Sequence, residues 1–429
     1  MRVALWFLAL FGIAVAVALF AGNNQGTITV FWPPYRVDLS LNLVLLLVAL
    51  LFLTLHVALR ALAALFAIPG HARSWRLAHQ ERAMHIALLD ALSHLMAGRY
   101  IRARKAVQVV LAREQAMMQG GEALAHAGRL RVLSHLLAAE SAQALQDKTA
   151  REEHFALALA QSARPDAQGT REAVQLRAAR WALEDRDAQA SLQWLDELPQ
   201  GASRRMIALR LRLKAARMAR QIPLALETAR LLTKHRAFSE LASQGLLRSL
   251  ALELVASAHD PDQLKTAWNR VDAPERLMPE VAIEAARRMM KLGGDVDLAR
   301  NWLLPIWDRM VAQSATLTDV QRVSLIRALE TSFSLTTGAP DAPWLTRIER
   351  AQMANPADAA LQYLAGITCM RLQLWGKAQQ LLKQSLPRLQ DPDLERSAWA
   401  ALAALAAQRD DALAVAQAWQ NAAKVGMAA

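Results

Sequence analysis

One cysteine, Cys369, is all the thiol this chain contains. It cannot form an intramolecular disulfide, a CxxC zinc site or a cysteine-ligated iron–sulfur cluster. At a helical position it reads as a small buried apolar residue. Glycine and proline are sparse, 17 and 15 of 429 residues, and tyrosine totals 3. Beyond about residue 80, runs rich in Val, Ile, Thr and Tyr are almost absent, which argues against strands there. No GxGxxG follows a strand, and no phosphate loop, nucleophile–base motif or paired acidic site stands out. The histidines do not recur at the i, i+4 spacing of a helical metal site: His79, His85 and His94 lie six and nine apart, and His126 and His135 nine apart. No catalytic residue, resident metal or cofactor is therefore expected, and the chain reads as a non-enzyme.

What the chain does contain is Ala, Leu, Arg and Gln, which fill the region after residue 80 and favour helix. Apolar residues make up 54% of the sequence while charged residues still reach 21%. That combination describes an apolar segment joined to an ordinary soluble region. Val3 to Gly22 is an uncharged run of 20 residues, and Leu39 to Leu59 is a second of 21. Either would span the ~30 Å hydrocarbon core as a helix, so a two-helix transmembrane hairpin is predicted. A cleaved signal peptide is the weaker reading of the first run, because Arg2 is its only leading cation and its apolar core is long.

Between the spans, residues 23–38 form a short loop with Arg36 as its only basic residue. Cations cluster after the second span, and the positive-inside rule then places both termini in the cytoplasm and the loop in the periplasm. Within that cluster Arg73, Arg76, Arg82, Arg102, Arg104 and Lys105 are candidates for anionic lipid headgroups. Trp32 and Tyr35, with Phe31, are expected at the outer interface, where amphipathic rings are favoured. Pro33 and Pro34 keep the connection from continuing as helix. His56, inside the second span, is either an axial haem ligand or, the preferred reading, a neutral histidine near the cytoplasmic end.

The net charge is +12. Residues 1–70 hold Arg2, Arg36 and Arg60 against Asp38, so +10 falls on the remainder, an excess too modest to imply nucleic-acid binding. One stretch is concentrated: Arg204 to Arg220 carries seven basic residues and no acidic one. With Arg205 beside them, Arg210, Lys214 and Arg217 follow helical spacing and share a face that suits a partner's acidic segment or porphyrin propionates. A solvated basic face is the plainer reading.

Helical periodicity continues from about residue 80 with only short breaks, several of them roughly 30–40 residues apart, the period of helical solenoids. The clearest unit, Ala87 to Val110, contains Gly98-Arg99-Tyr100-Ile101-Arg102-Ala103, with Ala91 at the expected small position. A second runs through Gly366, Trp375, Ala378 and Leu382; Phe155, Ala158 and Pro165 close another, and Asp410-Asp411-Ala412-Leu413 opens a last helix. These resemble tetratricopeptide (TPR) repeats. The predicted class is all-α, a TPR-like α-solenoid of about seven or eight helix pairs. Its divisions are a membrane hairpin (1–70), juxtamembrane helices and first units (71–165), degenerate repeats (166–340) and C-terminal units (341–429). Most of the 12 tryptophans fall at apolar helical positions and are expected between helices.

The order of features is similar to that of the HemY family of proteobacteria. It comprises the short first span, Trp32-Pro33-Pro34, Leu39-Ser40-Leu41-Asn42-Leu43, the basic juxtamembrane stretch and the Gly98 to Ala103 repeat. This family is distinct from the flavin-dependent oxidases that share the name. The resemblance implies an inner-membrane scaffold organising late haem biosynthesis, with ferrochelatase or protoporphyrinogen oxidase as partners. A haem or porphyrin carrier, or a general envelope adaptor, are the alternatives.

Overall fold

The computed structural model describes residues 11–19, 22, 25–119, 126–313, 316–335 and 342–428; for 64–74, 335, 342 and 426–428 it describes the backbone alone. The chain divides into two compact units, Met1–Thr170 and Arg171–Ala429. Residues 11–19 are helical and exposed, while the remainder of the predicted first span lies largely outside the described residues.

The stretch expected as an irregular loop is a β-hairpin. Strand β1 (Thr27–Trp32) pairs antiparallel with β2 (Tyr35–Ser40) across Pro33-Pro34. Thr and Val alternating with larger apolar residues favour this pairing, and two prolines close the turn. Ser40 ends the second strand, and its hydroxyl accepts from the Leu43 N–H at 3.3 Å, capping a 56-residue helix, Leu41–Met96. The apolar span therefore begins at Leu41 rather than Leu39. Leu41–Ala63 has a mean hydropathy of 2.5 and none of it is buried, and 23 residues reach about 35 Å as helix. Among the described residues this is the one helix long and apolar enough to cross a bilayer.

The end of that helix pairs with Tyr100–Gln119, and Ala127–Ala144 pairs with Lys148–Ser162. In the second unit the pairs are Arg171–Glu184 with Ala188–Asp196, Met206–Met218 with Ile222–Lys234, and Glu240–Ala256 with Pro261–Arg270. Pro279–Lys291 with Val296–Ala312 and Asp319–Leu335 with Ala342–Ala354 follow. Ala359–Arg371 with Trp375–Ser385 and Pro392–Ala407 with Ala412–Ala428 complete the series. The described residues thus hold two pairs in the first unit and seven in the second. From Glu240 onward each first helix also packs on the first helix of the next pair, the nearest-neighbour stacking of a solenoid.

A recurrent turn joins the two helices of a pair. Gly98, Gln146, Arg186, Arg220, Gly293, Gln373 and Asp410 all have φ between +55° and +71°. In each case the following N–H donates to the carbonyl five residues back, as in Asp147 to Ala142 (2.9 Å), Asp187 to Ala182 (2.8 Å) and Leu374 to Cys369 (2.9 Å). This Schellman geometry ends one helix. At Asp147, Asp187 and Asp411 the same residue then caps the next helix through its carboxylate, so the reversal needs no further residues.

The core matches the repeat signature. Ala91, Ala103, Val107 and Val110 are buried, as are Ala158, Ala378, Leu382 and Cys369. A Cβ on Gly366 would come within 2.8 Å of Leu382 Cγ, so glycine lets those two helices approach. One apolar core runs from Leu209 to Leu405. Trp268 stacks on Trp302 (4.6 Å between centroids), and Trp307 meets Trp344 edge-on, which places these rings between helices.

Candidate interaction surfaces

Three successive first helices in the second unit, Asp319–Leu335, Ala359–Arg371 and Pro392–Ala407, frame a groove. Small residues, Ala400, Ala401 and Ala404, line it together with Ile367 and Met370. Polar chemistry enters at fixed points. The Tyr363 hydroxyl, fully buried, donates to Glu330 at 2.6 Å. Burial holds the Glu330 carboxyl above the usual carboxylate range, against the opposing pull of Tyr363, Arg327 and Arg371. Arg327 is held by Asp391 and Asp393, each at 2.7 Å, and Asp391 also caps the Pro392–Ala407 helix. Arg371 remains exposed beside Glu330 without an ion pair among the described residues. The groove therefore offers a guanidinium without an ion pair among the described residues beside apolar lining residues, a setting for a carboxylate-bearing segment. No linear motif announces it, since Glu330, Tyr363 and Arg371 come from two helices.

The basic stretch 204–220 is split by the fold. Arg205 pairs with Glu172 (2.8 Å) and Arg212 with Asp196 (2.6 Å), both tying neighbouring helices together. Arg210, Lys214 and Arg217 lie exposed along one face of Met206–Met218, preceded by exposed Ile207. Arg210 touches only the Ala237 carbonyl, at 3.4 Å, and Lys214 and Arg217 meet no carboxylate among the described residues. The predicted shared face is therefore present, without Arg205.

Of the lipid candidates, the Arg73 side chain lies outside the described atoms. Arg104 is engaged by Asp147 at 3.1 Å, which fastens two helix pairs, and Arg82 donates to the Ala78 carbonyl. Arg76, Arg102 and Lys105 are exposed. Arg76 and Arg82 follow Ala63 by 13 and 19 residues, roughly 20 and 29 Å along a helix. Contact with headgroups then requires this helix to lean toward the bilayer surface, since screening cuts the attraction within about 8 Å. Trp32 and Tyr35 face each other at the hairpin tip, both highly exposed. His56 is exposed on the apolar span.

Two histidines that lack sequence proximity meet in the first unit. His135 and His154, on paired helices, approach Nδ1 to Nδ1 at 3.2 Å, so one ring donates to the other. Burial, then the neighbouring His154, lowers the His135 pKa to about 4, and burial lowers that of His154 as well. Among the described residues no group of three or more His, Cys, Asp or Glu side chains is arranged to hold a metal ion.

Residues 26–146, spanning the hairpin, the apolar helix and the first helix pair, match the family described as HemY protein N-terminus. No curated protein matches the sequence. Solved structures that align with it include the APC/C hetero-tetramer Cut9-Hcn1, at 14% identity, 79% of this chain, 66% of that one and a TM-score of 0.27. Naa15/Naa10 bound to HypK-THB aligns at 12% identity, 76% and 57% coverage and 0.22. The P58(IPK) TPR domain aligns at 11%, 80% and 98%, and 0.20. This chain spans less than two thirds of the first two. At such scores the repeat assignment rests on the helix pairs themselves.

Proposed function

We propose that this chain, a HemY-family protein by its residues 26–146, is a non-enzymatic, membrane-anchored scaffold that docks enzymes of late haem biosynthesis. The observation that carries this reading is the groove between the first helices of the last three pairs, lined by exposed Arg371 with Ile367 and Met370. A partner segment that fits it is extended, acidic at one point and apolar beside it. The family resemblance points to ferrochelatase or protoporphyrinogen oxidase as the protein that supplies it. The Leu41–Ala63 helix would hold the repeats at the inner membrane, on the cytoplasmic side by the positive-inside rule. Docking two enzymes side by side raises the effective concentration of a poorly soluble porphyrin between their sites.

The test is in-cell crosslinking of the tagged full-length protein and of Arg371→Glu, with residues 1–70 alone as control, followed by mass spectrometry of the membrane fraction. Enrichment of either haem enzyme by the full-length chain, reduced several-fold by the charge reversal, supports the reading. Equal capture by both forms moves the dock away from the groove. Capture of envelope-assembly or proteolysis factors instead removes the haem assignment.

A pigment-binding role is the second reading, favoured by the exposed Arg210, Lys214 and Arg217 stripe, which suits propionates. It predicts an absorbance change on adding haem that disappears when the three cations become alanine. His56→Ala tests the remaining axial-ligand candidate by the same readout.

A further inference from the structure

In the Thr27–Ser40 hairpin the register sets Ile28 opposite Leu39, Val30 opposite Val37 and Trp32 opposite Tyr35. Side chains alternate across a strand, so these six occupy one face as three successive apolar rungs. The opposite face pairs Thr27 with Ser40, Thr29 with Asp38 and Phe31 with Arg36. Its polar groups serve one another: the Thr29 hydroxyl donates to Asp38 at 2.6 Å, and Arg36 pairs with Asp38 while lying 5.4 Å over the Phe31 ring. The apolar face has no such closure. Trp32 and Tyr35 are 75% and 72% exposed, and Val30 and Val37 are 45% and 46% exposed, while Ile28 and Leu39 at the base are half-buried and Phe31, on the other face, is exposed beneath Arg36. A lone two-stranded hairpin is marginal in water, so a surface outside the described residues is needed to cover this face.

The attachment of the hairpin indicates that surface. Ser40 ends β2 and caps the apolar helix, and the Leu41 N–H donates to the Gly26 carbonyl at 2.8 Å, closing the hairpin base onto the helix start. The uncovered span Leu41–Ala63 thus begins at the residue after the last strand, with no linker between the two apolar surfaces. The outer backbone groups of a two-stranded hairpin need water or headgroups, which keeps it at the interface rather than in the hydrocarbon, and Trp and Tyr rings favour that level.

We propose that the hairpin is an amphipathic β-anchor lying on the bilayer surface where the span begins. Ile28, Val30, Trp32, Tyr35, Val37 and Leu39 sink into the lipid interface, while Thr29, Arg36 and Asp38 face water. The occupant of the apolar face is phospholipid, and the anchoring set is the whole three-rung ladder rather than the two tip rings alone. This inference rests on Leu41–Ala63 being a membrane span.

The full-length protein carrying Cys369→Ala is reconstituted into vesicles of phosphatidylethanolamine and phosphatidylglycerol. Single cysteines at Val30, Val37, Thr29 or Leu51 then carry a nitroxide spin label, and circular dichroism confirms that helix content is kept. Collision with oxygen, which concentrates in lipid, is compared with collision with a water-soluble nickel chelate. The labels at Val30 and Val37 are expected to favour oxygen several-fold over the label at Thr29, with Leu51 the most lipid-exposed. Because Val30 and Val37 share a rung from different strands, agreement between them rules out a local distortion by either label. If both read as Thr29 does, the hairpin stands in water and the anchor is overturned. If both are shielded from either collider, a protein surface covers them, and the anchor is equally overturned. In both cases a lipid-exposed Leu51 leaves the span intact; an aqueous Leu51 overturns the span and the anchor together.

Discussion

Arg300 is only 1% exposed, yet it carries a full charge into the second unit. Its Nε donates to the Ser332 hydroxyl and its Nη2 to the Ser332 carbonyl, both at 3.0 Å, and its guanidinium lies 4.9 Å over the Phe333 ring. The planar fork clamps one helix pair to the next. Arg300→Met is expected to cost about 2–3 kcal/mol by removing two hydrogen bonds from a charged donor to Ser332, read as faster hydrogen exchange in Val296–Ala312 and Asp319–Leu335. Arg300→Lys is expected to rescue little, since an ammonium cannot reproduce the fork or its stacking. The histidine pair makes a different prediction. His135 has its folded pKa depressed to about 4, so its neutral form is favoured in the fold. The unfolded ring takes up protons below pH 6.5, so stability is complete above that value and falls as pH drops toward 4. Between pH 7.5 and 5 the first unit should lose on the order of 2 kcal/mol from this group, with His154 adding to it. Urea midpoints at the two pH values check this, and His135→Gln should flatten the difference.

At the scale of elements, the turns between paired helices place Gln146, Arg186, Arg220, Gln373 and Asp410 in a left-handed conformation that suits glycine. Gln373→Gly is therefore expected to stabilise its pair by about 0.5–1 kcal/mol, whereas Gly98→Ala should cost about 1 kcal/mol at the same turn position. Thermal unfolding of the two single variants measures both signs. The same turns explain what the sequence disclosed. The Ala87–Val110 and Gly366–Leu382 units were legible because Gly98 marks the reversal and Ala91, Ala103, Gly366 and Ala378 mark the close approach. In the middle of the chain Arg186 and Arg220 fill that conformation, so the pairs there lost their punctuation while keeping their geometry. Asp147, Asp187 and Asp411, each following such a residue and capping the next helix, were the signal available. The hairpin was missed because its strands are six residues each and adjoin a dominant helical run. The groove and the His135–His154 contact were illegible for one shared reason. Both join residues from different helices whose separation in sequence, 19 for the histidines and 33 for Glu330 with Tyr363, carries no periodic meaning.

For the whole molecule, the first unit brings together the hairpin, the apolar span and two helix pairs, and the second holds seven further pairs among the described residues. The cross-pair bonds Arg230 to Glu275 (2.8 Å) and Lys377 to Glu349 (2.7 Å), with Arg322 to Asp358, show where much of the arginine-rich composition is used. The count of 50 basic side chains consequently overstates the number of cations free to meet a partner. The recurrent turn also sets how the chain can be shortened. Because Arg186 and Arg220 hold the same backbone conformation, each closed by the same bond five residues back, residues 187–220 form an excisable segment. Joining Arg186 directly to Gln221 lets Ile222–Lys234 fold back on Arg171–Glu184 through an unchanged reversal. That deletion should keep a helical, cooperatively melting protein, whereas removal of residues 187–203 alone, which takes out the second helix of one pair and so reverses the direction of every helix that follows, should not. Circular dichroism melts of the two deletions would separate the cases. A solenoid punctuated this way can lose or duplicate repeats in evolution by recombination at its turns, with no new junction to invent.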